Sequence, residues 1–579
     1  MPNMIQNAKD SISQILNAAY QKAAEKGELP AGAALSGTVE IPKDSANGDF
    51  AANHAMAGAK ALHMAPRKIA ETLIANADLA DTWFASVEVA GPGFINFRLA
   101  DRWYADVLRA VTGEGADYGR SDIGHGQKVM VEFVSANPTG PMHMGNARGG
   151  VLGDALASVL SRAGYQVWRE FYVNDAGNQI EKFANSIDAR YQQLLLGEEQ
   201  VVFPEDGYHG DDIKDLARLF YEANGDKYLT VPVTERHQAM AEFGLQRNIP
   251  KMQEDLRRYG IEYDQWFFES ELHESGYVAE SVQKLTDRGY TYEKDGALWL
   301  KTSQILTEQL LKSGKKQEEI DKLELKDDVL RRANGFYTYF AADIAYHRNK
   351  LEKRGFDKAI NVWGADHHGH VARLKGAMDA LGLDGEHRLD IVLMQLVKLT
   401  RNGEVVRMSK RTGKAISLTD LLDEIPVDAA RYFFNSRPES PVEFDLELAI
   451  RQDSENPVYY VQYAHARICT LLAALAAEGH TVPANADAAL LSTPEEKELI
   501  KQLAALPEEI RLAARDYDPS RINRYVTELA ARFHRFYTVC RIKGAESDVQ
   551  AARLLLADCV RRVIAVSLGI IGVTAPEKM

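Results

Sequence analysis

A glycine- and proline-rich segment, SANPTGPMHMGN at residues 135–146, precedes a stretch with the helical spacing of apolar residues. Free backbone N–H groups and the macrodipole at a helix N-terminus attract anions. His143 can donate a hydrogen bond to a phosphate there, and Gly145 lets a flat ligand approach the backbone closely. The segment therefore indicates a nucleotide site. The alternative is an ordinary strand-to-helix turn that carries a surface histidine.

A basic segment, RMSKRTG at residues 407–413, follows the hairpin-like residues 401–404. Its three cations lie among small residues, an arrangement that suits a mobile clamp for phosphate groups. Such a clamp stabilises the charge that develops when pyrophosphate leaves a triphosphate. The alternative is a solvated basic loop without a ligand.

Two further segments place polar side chains where a ligand could meet them. Glu132 is a charged residue inside the apolar strand pattern VMVEFV at 129–134. A carboxylate in such a strand needs a partner, which is either a bound cation or a basic residue of the protein itself. The segment GADHHGH at 364–370 brings three histidines together. It suits contacts to a ligand and leaves a metal site as the alternative.

The elements that must position these residues form a strand, loop, helix and strand in succession. The strand at 129–134 is followed by a helix with apolar residues at Leu152, Leu156 and Val159, and then by a second strand over 165–173. This order predicts a parallel sheet covered by helices, with ligands at the carboxyl ends of its strands.

The predicted sheet is interrupted and then completed. A long, helical and partly acidic stretch at roughly 180–330 separates its two parts. Strand patterns return at Ala359–Trp363 and Leu389–Leu399, with a helix over Val371–Leu381 between them. An open α/β sheet split by an insertion fits this order of elements.

Other patterns flank the sheet on both sides. The first part of the chain predicts a helix over Asn3–Lys26, a helical stretch over Asp49–Ala75 and two strands hinged at residues 91–93. From about residue 440 every pattern is helical, as in a helical bundle. A capping box at residues 493–496 marks the start of one of these helices.

Size and composition limit the classes of protein. A chain of 579 residues is too long for one core, so about three or four domains are expected. The net charge of −15 argues against wholesale coating of a polyanion, although local basic faces still permit a nucleic-acid partner.

Cys469, Cys540 and Cys559 lack metal-like spacing and are expected to be buried thiols. A cytoplasmic protein without membrane contact is predicted, because neither a signal peptide nor a long apolar run is present.

The first two segments together resemble the signatures of one enzyme class. Residues 143–146 resemble the HIGH signature of class I aminoacyl-tRNA synthetases, and residues 407–410 resemble their KMSK signature. The first follows the first strand of the predicted sheet and the second follows its last. Segments along nearly the whole chain also resemble arginyl-tRNA synthetases. They are GPGFINFRL (91–99), VEFVSANPTGPMHMGNARG (131–149), YVNDAGNQI (172–180), DAARYFFNSR (428–437) and PVYYVQYAHARI (457–468).

The resemblance implies roles for individual residues. Those implied in binding arginine are Glu132, Ser135, Asn137, Tyr339, Asp343 and His367. Those implied in binding ATP are His143, Gly145, Asn146, Gly364, Asp366, Met408, Ser409 and Lys410. Of these, His143, Asn146 and Lys410 are implied to be catalytic. Carboxylates suit arginine, because its guanidinium group is a planar fork of five donors.

The sequence departs from both signatures at a polar position. Asn146 stands where HIGH has its second histidine. It can donate one hydrogen bond but cannot carry a charge, which puts its share of transition-state stabilisation in doubt. Arg407 stands in place of the first lysine of KMSK and keeps the positive charge.

The resemblance also implies a multidomain α/β fold. A small α+β domain at 1–115 would contact the tRNA elbow, and a Rossmann-like catalytic domain with a parallel sheet and the helical insertion would occupy 120–400. A linker at 401–440 would carry the KMSK loop and contact the tRNA stem. An all-helical domain at 441–579 would bind the anticodon.

The implied activity is arginine–tRNA ligation. L-arginine and ATP would give arginyl-adenylate and pyrophosphate, and the arginyl group would pass to the 3′ end of tRNA-Arg. Mg²⁺ is implied as the counter-ion of ATP, without a permanently bound metal, and a monomer is expected. A synthetase for another amino acid and a non-catalytic tRNA-binding homologue are the alternatives. The missing G-x-G-x-x-G after the first strand argues against a dinucleotide-binding oxidoreductase.

Overall fold

The computed structural model describes residues 3–33, 35–395, 397–406, 416–436 and 442–579. Within these ranges, none of the helices is both long and apolar enough to cross a membrane. The strands are β1 (Val39–Glu40), β2 (Phe50–Ala52), β3 (Phe84–Ala90), β4 (Phe94–Leu99), β5 (Lys128–Glu132), β6 (Gln166–Val173), β7 (Gln265–Phe268), β8 (Thr291–Lys294), β9 (Ala297–Leu300), β10 (Asp328–Arg331), β11 (Lys358–Gly364), β12 (Leu389–Met394), β13 (Val397–Arg401), β14 (Glu404–Val405) and β15 (Val442–Asp445).

The helices surround these strands and dominate the last quarter of the chain. They are α1 (Met4–Glu25), α2 (His54–Leu62), α3 (Pro66–Asn76), α4 (Asp101–Glu114), α5 (Met144–Arg162), α6 (Asn178–Leu196), α7 (Asp211–Asn224), α8 (Val233–Arg258), α9 (Glu269–Glu274), α10 (Tyr277–Asp287), α11 (Thr302–Lys312), α12 (Gln317–Asp321), α13 (Tyr339–Arg348), α14 (His368–Ala380), α15 (Gly385–Arg388), α16 (Leu418–Glu424), α17 (Val427–Asn435), α18 (Leu446–Ile450), α19 (Pro457–Ala477), α20 (Pro494–Asp516), α21 (Ser520–Val539) and α22 (Ser547–Ile570).

The central sheet has five parallel strands in the order β12-β11-β5-β6-β7. α5 connects the parallel neighbours β5 and β6, so the predicted strand–helix–strand unit is confirmed. Residues 129–132 of β5 are all buried, as expected for the middle strand of a sheet covered by helices. Parallel strands end at the same edge of a sheet, so the carboxyl ends of β5, β6, β11 and β12 lie side by side.

Glycines let α5 pack closely on the segment that follows β5. A Cβ atom built on Gly153 would lie 2.1 Å from Cγ and 2.4 Å from Cβ of Phe133. Phe133 is 1% exposed, and its Cβ atom cannot move away without the backbone. The close approach fixes the position of α5, whose N-terminus lies at the carboxyl ends of the central strands.

Gly153→Ala is therefore expected to lower the free energy of unfolding by about 2 kcal/mol, because an overpacked core must shift side chains and backbone. Denaturant unfolding measures this change. Gly569→Ala in α22 is the control, since its added Cβ would meet no atom within 4 Å. That control should gain up to about 1 kcal/mol from helix propensity. Equal stability of the two variants would contradict the packing argument.

The stretch at roughly 180–330, which was predicted to be helical, contains α6 to α12 but also four strands that the prediction missed. β7 pairs in parallel with β6 and forms one edge of the central sheet. β8, β9 and β10 form a separate antiparallel sheet of three strands. Each of these strands has only four residues, which is too short for a clear alternation of apolar and polar residues.

The single strand predicted over Leu389–Leu399 is also wrong. β12 ends at Met394 within the central sheet, and β13 begins at Val397 in a different sheet with the order β14-β13-β15. The KMSK-like segment therefore follows β14 of this smaller sheet and not the last strand of the central sheet. Apolar character continues across the break, so the sequence pattern does not reveal that the chain changes sheets.

The N-terminal part combines α1 to α4 with an antiparallel sheet in the order β1-β2-β4-β3. The predicted first helix and the β3–β4 hairpin are confirmed. The helical stretch predicted over Asp49–Ala75 is wrong at its start, where β2 pairs with β4. It is also broken after α2, which ends at the left-handed residue His63. A three-residue strand that depends on a distant partner gives little local signal.

The C-terminal part is helical from α18 onward. The prediction of helix from about residue 440 is wrong for β15, which pairs in parallel with β13. The capping box before α20 is confirmed, with the Thr493 hydroxyl accepting from Glu496 N. Cys540 and Cys559 are buried as predicted, and Cys469 is half-buried.

Candidate active site

A cleft of about 1180 Å³ opens at the carboxyl ends of the central strands. Glu132 of β5, Tyr172 of β6, Trp363 of β11 and Met394 of β12 all line it. This position agrees with the expectation that ligands bind at the carboxyl edge of an open parallel sheet. The N-terminus of α5 and one face of α13 complete the walls.

The loop that leaves β5 has an unusual backbone. Val134 and Ser135 have φ angles of +69° and +44°, which are uncommon for residues other than glycine and especially for a β-branched one. The turn directs the Ser135 hydroxyl back toward the sheet, where it donates to Glu132 Oε1 at 2.9 Å and accepts from Tyr172 N at 3.2 Å. The strained turn therefore fixes both the loop and the orientation of the Glu132 carboxylate.

Glu132 is 5% exposed and has a basic partner within the protein. Lys350 Nζ donates to Glu132 Oε2 at 2.5 Å. The internal ion pair, one of the two partners foreseen for this residue, is thus present. Glu132 still lines the cleft, and each carboxylate oxygen can accept more than one hydrogen bond.

A second carboxylate reaches the cleft from α13. Asp343 lines it and binds His370 of α14, with 2.8 Å between Oδ2 and Nε2. Tyr339 lies one turn earlier on α13 but is 40% exposed and is not among the lining residues. Its hydroxyl accepts from the backbone N–H of Gln179. The two residues lie one turn apart on α13, and of the two only the aspartate lines the cleft.

The structure brings most of the other expected arginine and nucleotide residues to the same cleft. Those that line it are Ser135, Asn137, His143, Gly145, Asn146, Gly364 and His367. Met408, Ser409 and Lys410 lie outside the described residues, as does the side chain of Asp366. The helix after the glycine-rich loop begins earlier than predicted, at His368, after a 3-10 turn over Ala365–His367.

Several residues that line the cleft were not predicted from the sequence. Tyr172, Trp363 and Met394 could have been found, because each lies at or near the carboxyl end of a recognisable strand. His370 belongs to the histidine-rich segment but had no role predicted for it. Asp211 and Asp212 come from the insertion, and no sequence signal connects them to the sheet. Within the described ranges, no group of three or more histidine, cysteine or acidic side chains could hold a metal ion.

The side chain of Asn146 caps the N-terminus of α5. Asn146 Oδ1 accepts from the backbone N–H of His143 at 2.9 Å. The amide oxygen is therefore used within the protein, and Asn146 also lines the cleft.

If Asn146 donates to a phosphate of ATP, as the resemblance implies, Asn146→Asp is expected to lower kcat/KM for ATP by about 10- to 100-fold, because aspartate replaces the donor with a negative charge that repels phosphate. The thermal unfolding midpoint should stay near that of the wild type, since aspartate also accepts from His143 N and suits a helix N-terminus. Steady-state kinetics with ATP varied checks the first effect. Asn146→Ala, which loses the cap as well, is the comparison for stability. Unchanged ATP kinetics in the Asp variant would contradict a phosphate contact.

Comparison with known protein families gives matches over most of the chain. A model described as "Arginyl tRNA synthetase N terminal domain" matches residues 6–99. One described as "tRNA synthetases class I (R), catalytic domain" matches 109–443, and one described as "DALR anticodon binding domain" matches 461–579. The catalytic-domain match alone covers more than half of the chain.

Individual proteins are similar over the full length. An arginine–tRNA ligase of Acetivibrio thermocellus is 52% identical, and one of Caldanaerobacter subterraneus subsp. tengcongensis is 54% identical, each over 100% of both chains. The solved structure of arginyl-tRNA synthetase from Thermus thermophilus superposes with a TM-score of 0.72. It covers 99% of this chain and 100% of that one at 21% sequence identity, so this likeness concerns the fold.

Proposed function

Because this chain belongs to the arginyl-tRNA synthetase family, we propose that the cleft at the edge of the central sheet is the site where arginine and ATP react. The protein is an arginine–tRNA ligase and a class I aminoacyl-tRNA synthetase. It activates L-arginine with ATP to arginyl-adenylate and pyrophosphate and then transfers the arginyl group to tRNA-Arg.

The observation that supports this site most strongly is the pair of carboxylates, Glu132 and Asp343, in one cleft. They come from β5 and α13 and are more than two hundred residues apart in the chain. The N–H donors of a guanidinium group lie in one plane and point outward in several directions. Two carboxylates at separate positions can therefore bind it together. Ser135, Asn137 and His367 would contact other polar atoms of the amino acid. Tyr339 would contact the amino acid from the edge of the cleft.

The nucleotide would bind beside the amino acid, at the N-terminus of α5. His143 and Asn146 would donate to phosphate oxygens there, and Gly145 and Gly364 would allow close approach of the nucleotide. Asp366, Met408, Ser409 and Lys410 would complete the site, with Lys410 placing a positive charge near the leaving phosphates. Mg²⁺ would act as the counter-ion of the triphosphate, without a permanently bound metal.

The reaction needs positioning and charge stabilisation more than covalent catalysis. An oxygen of the arginine α-carboxylate attacks the α-phosphorus of ATP, and the bond to the β-phosphate oxygen breaks to release pyrophosphate. A hydroxyl of the terminal tRNA ribose then attacks the carbonyl carbon of the adenylate, and AMP leaves. Donors at the α5 N-terminus would stabilise negative charge on the phosphates as the first bond breaks.

The flanking regions would hold the tRNA. The region at 1–115 would contact the elbow, the region at 401–440 the stem, and the region at 441–579 the anticodon. The catalytic region would span 120–400, and the protein would act as a cytoplasmic monomer.

The test is ATP–pyrophosphate exchange with each of the twenty amino acids, with and without total tRNA. The expected result is exchange with arginine and with no other amino acid, and this exchange should depend on tRNA. Exchange with a different amino acid would refute the two-carboxylate site. Absence of exchange under every condition would instead point to a tRNA-binding homologue that has lost the activation step.

A further inference from the structure

A buried lysine lies directly behind the proposed arginine site. α13 continues into a π-helical turn over Asn349–Lys353. The side chain of Lys350 in this turn reaches Glu132 of β5. Lys350 is 0% exposed, and it is not among the residues that line the cleft. An ammonium group is retained at such depth only with partners that compensate its charge and its hydrogen bonds.

The ammonium group of Lys350 has four neighbours in the space between α13 and the sheet. Nζ donates to Glu132 Oε2 at 2.5 Å and to Asn361 Oδ1 at 3.1 Å, and it lies 3.4 Å from His347 Nε2. It also lies 4.1 Å from the centre of the Tyr346 ring, within the range of a cation–π contact. These contacts hold the ammonium group against one oxygen of Glu132 and away from the cleft.

His347 does not add a second positive charge to this cluster. Its Nδ1 lies 2.8 Å from the backbone oxygen of Asp343, which can only accept, so Nδ1 carries the hydrogen. Its Nε2 then accepts from the Asn361 amide at 2.7 Å. Burial and the nearby charge of Lys350 hold the pKa of His347 well below its usual value, in agreement with a neutral ring.

The contacts of Asp343 can be assigned in the same way. Arg373 Nη2 lies 3.2 Å from His370 Nδ1, and because a guanidinium group can only donate, this Nδ1 is an acceptor. His370 Nε2 then carries the hydrogen and donates to Asp343 Oδ2. A neutral histidine therefore orients Asp343 without cancelling its charge.

We propose that Lys350 is a positioning and specificity-determining residue, which fixes the Glu132 carboxylate and offsets its charge, so that of the two carboxylates assigned to arginine only Asp343 presents an uncompensated negative charge. One guanidinium group carries one positive charge and matches this balance. Ser135 and Lys350 each occupy one acceptor position, on different oxygens of Glu132, and Glu132 lines the cleft. The inference rests on the proposed function, since it assigns Lys350 a role at that same arginine site.

A second ion pair from the same turn supplies an internal comparison. Arg354, directly after the π-helical turn, binds both oxygens of Glu170, at 2.9 and 2.6 Å. Glu170 lies beside Glu132 in the register of β5 and β6, is 0% exposed and does not line the cleft. Both carboxylates are buried and face each other in the strand register, and they differ in whether the carboxylate lines the cleft.

The test uses Lys350→Met, which removes the ammonium group and keeps an unbranched side chain. Without that group, the buried Glu132 carboxyl is expected to take up a proton, because burial disfavours an unpaired charge. KM for arginine should rise about 10- to 100-fold, while KM for ATP stays unchanged. ATP–pyrophosphate exchange with tRNA-Arg measures both constants.

Arg354→Met is the matched control. It should lower the thermal unfolding midpoint but leave KM for arginine at the wild-type value. A similar rise in KM for arginine in both variants would overturn the proposal, because it would indicate a general loss of packing. So would a wild-type KM for arginine in Lys350→Met. Absence of arginine-dependent exchange in the unmodified protein would instead refute the proposed function.

A double variant keeps the proposal testable if Lys350→Met does not fold. Glu132→Gln combined with Lys350→Met leaves no unpaired charge in the buried cluster, so folding is expected. If Lys350 acts on arginine only through Glu132, the double variant and Glu132→Gln alone should share the same raised KM for arginine. A further increase of tenfold in the double variant would overturn the proposal.

Discussion

Asp343→Asn is expected to raise KM for arginine by roughly 100-fold or more, which corresponds to the cost of removing one charge from a desolvated, hydrogen-bonded pair. Lys350 offsets the charge of Glu132, so Asp343 supplies the uncompensated charge that a guanidinium group would meet. Asparagine keeps an acceptor for His370 and nearly the same volume, so the fold should remain intact. KM for ATP should not change.

Exchange kinetics with arginine varied at saturating ATP and tRNA would measure this effect. Asp379→Asn is a matched control on the neighbouring helix α14. Asp379 is half-buried and accepts from Gly385 N at 2.6 Å, but it does not line the cleft. Its substitution should leave KM for arginine unchanged. An unaltered KM in Asp343→Asn would show that this carboxylate does not bind the substrate side chain.

Arg431→Met is expected to lower the free energy of unfolding by about 3–5 kcal/mol, the range found when one partner of a buried ion pair is removed. Arg431 of α17 is 0% exposed and forms an ion pair with Asp154 of α5. Its guanidinium group also donates to the backbone oxygens of Tyr259, at 3.0 Å, and Ile571, at 3.2 Å. One side chain thus joins α5, the end of α8 and the end of the C-terminal helix.

Denaturant unfolding followed by circular dichroism would measure the loss. Arg524→Met is the control, because the side chain of Arg524 is 59% exposed and its ion pair with Asp518 lies at the surface. Exposed pairs contribute about 1 kcal/mol or less. If both variants lose the same small amount, Arg431 does not join the elements in the way that its contacts indicate.

The sequence was sufficient where a feature depends on neighbouring residues. The apolar spacing of α1 and α5, the buried pattern of β5 and the capping box before α20 follow from local periodicity and hydrogen bonding. Glu132 could be recognised as unusual for the same reason, because a charge in an apolar strand is visible without any knowledge of its partner. The fold class of a parallel α/β sheet with helical and small α+β regions was also predictable.

Tertiary structure decided the features that depend on distant partners. β7 and β15 form only because another strand is already in place beside them, and the change of sheet between β12 and β13 leaves no local signal. Tyr339 and Asp343 share a helix face in the sequence pattern, yet packing turns only the aspartate into the cleft.

The sequence by itself determined the enzyme family, the class of reaction and several residues that line the cleft, because the signature segments are continuous in the chain. The partners of the charged residues were decided only in three dimensions. Lys350 reaches Glu132 across 218 positions, and Arg431 reaches Asp154 across 277. No local pattern encodes such pairs, because burial of each charge becomes favourable only when folding brings its counterpart within hydrogen-bonding distance.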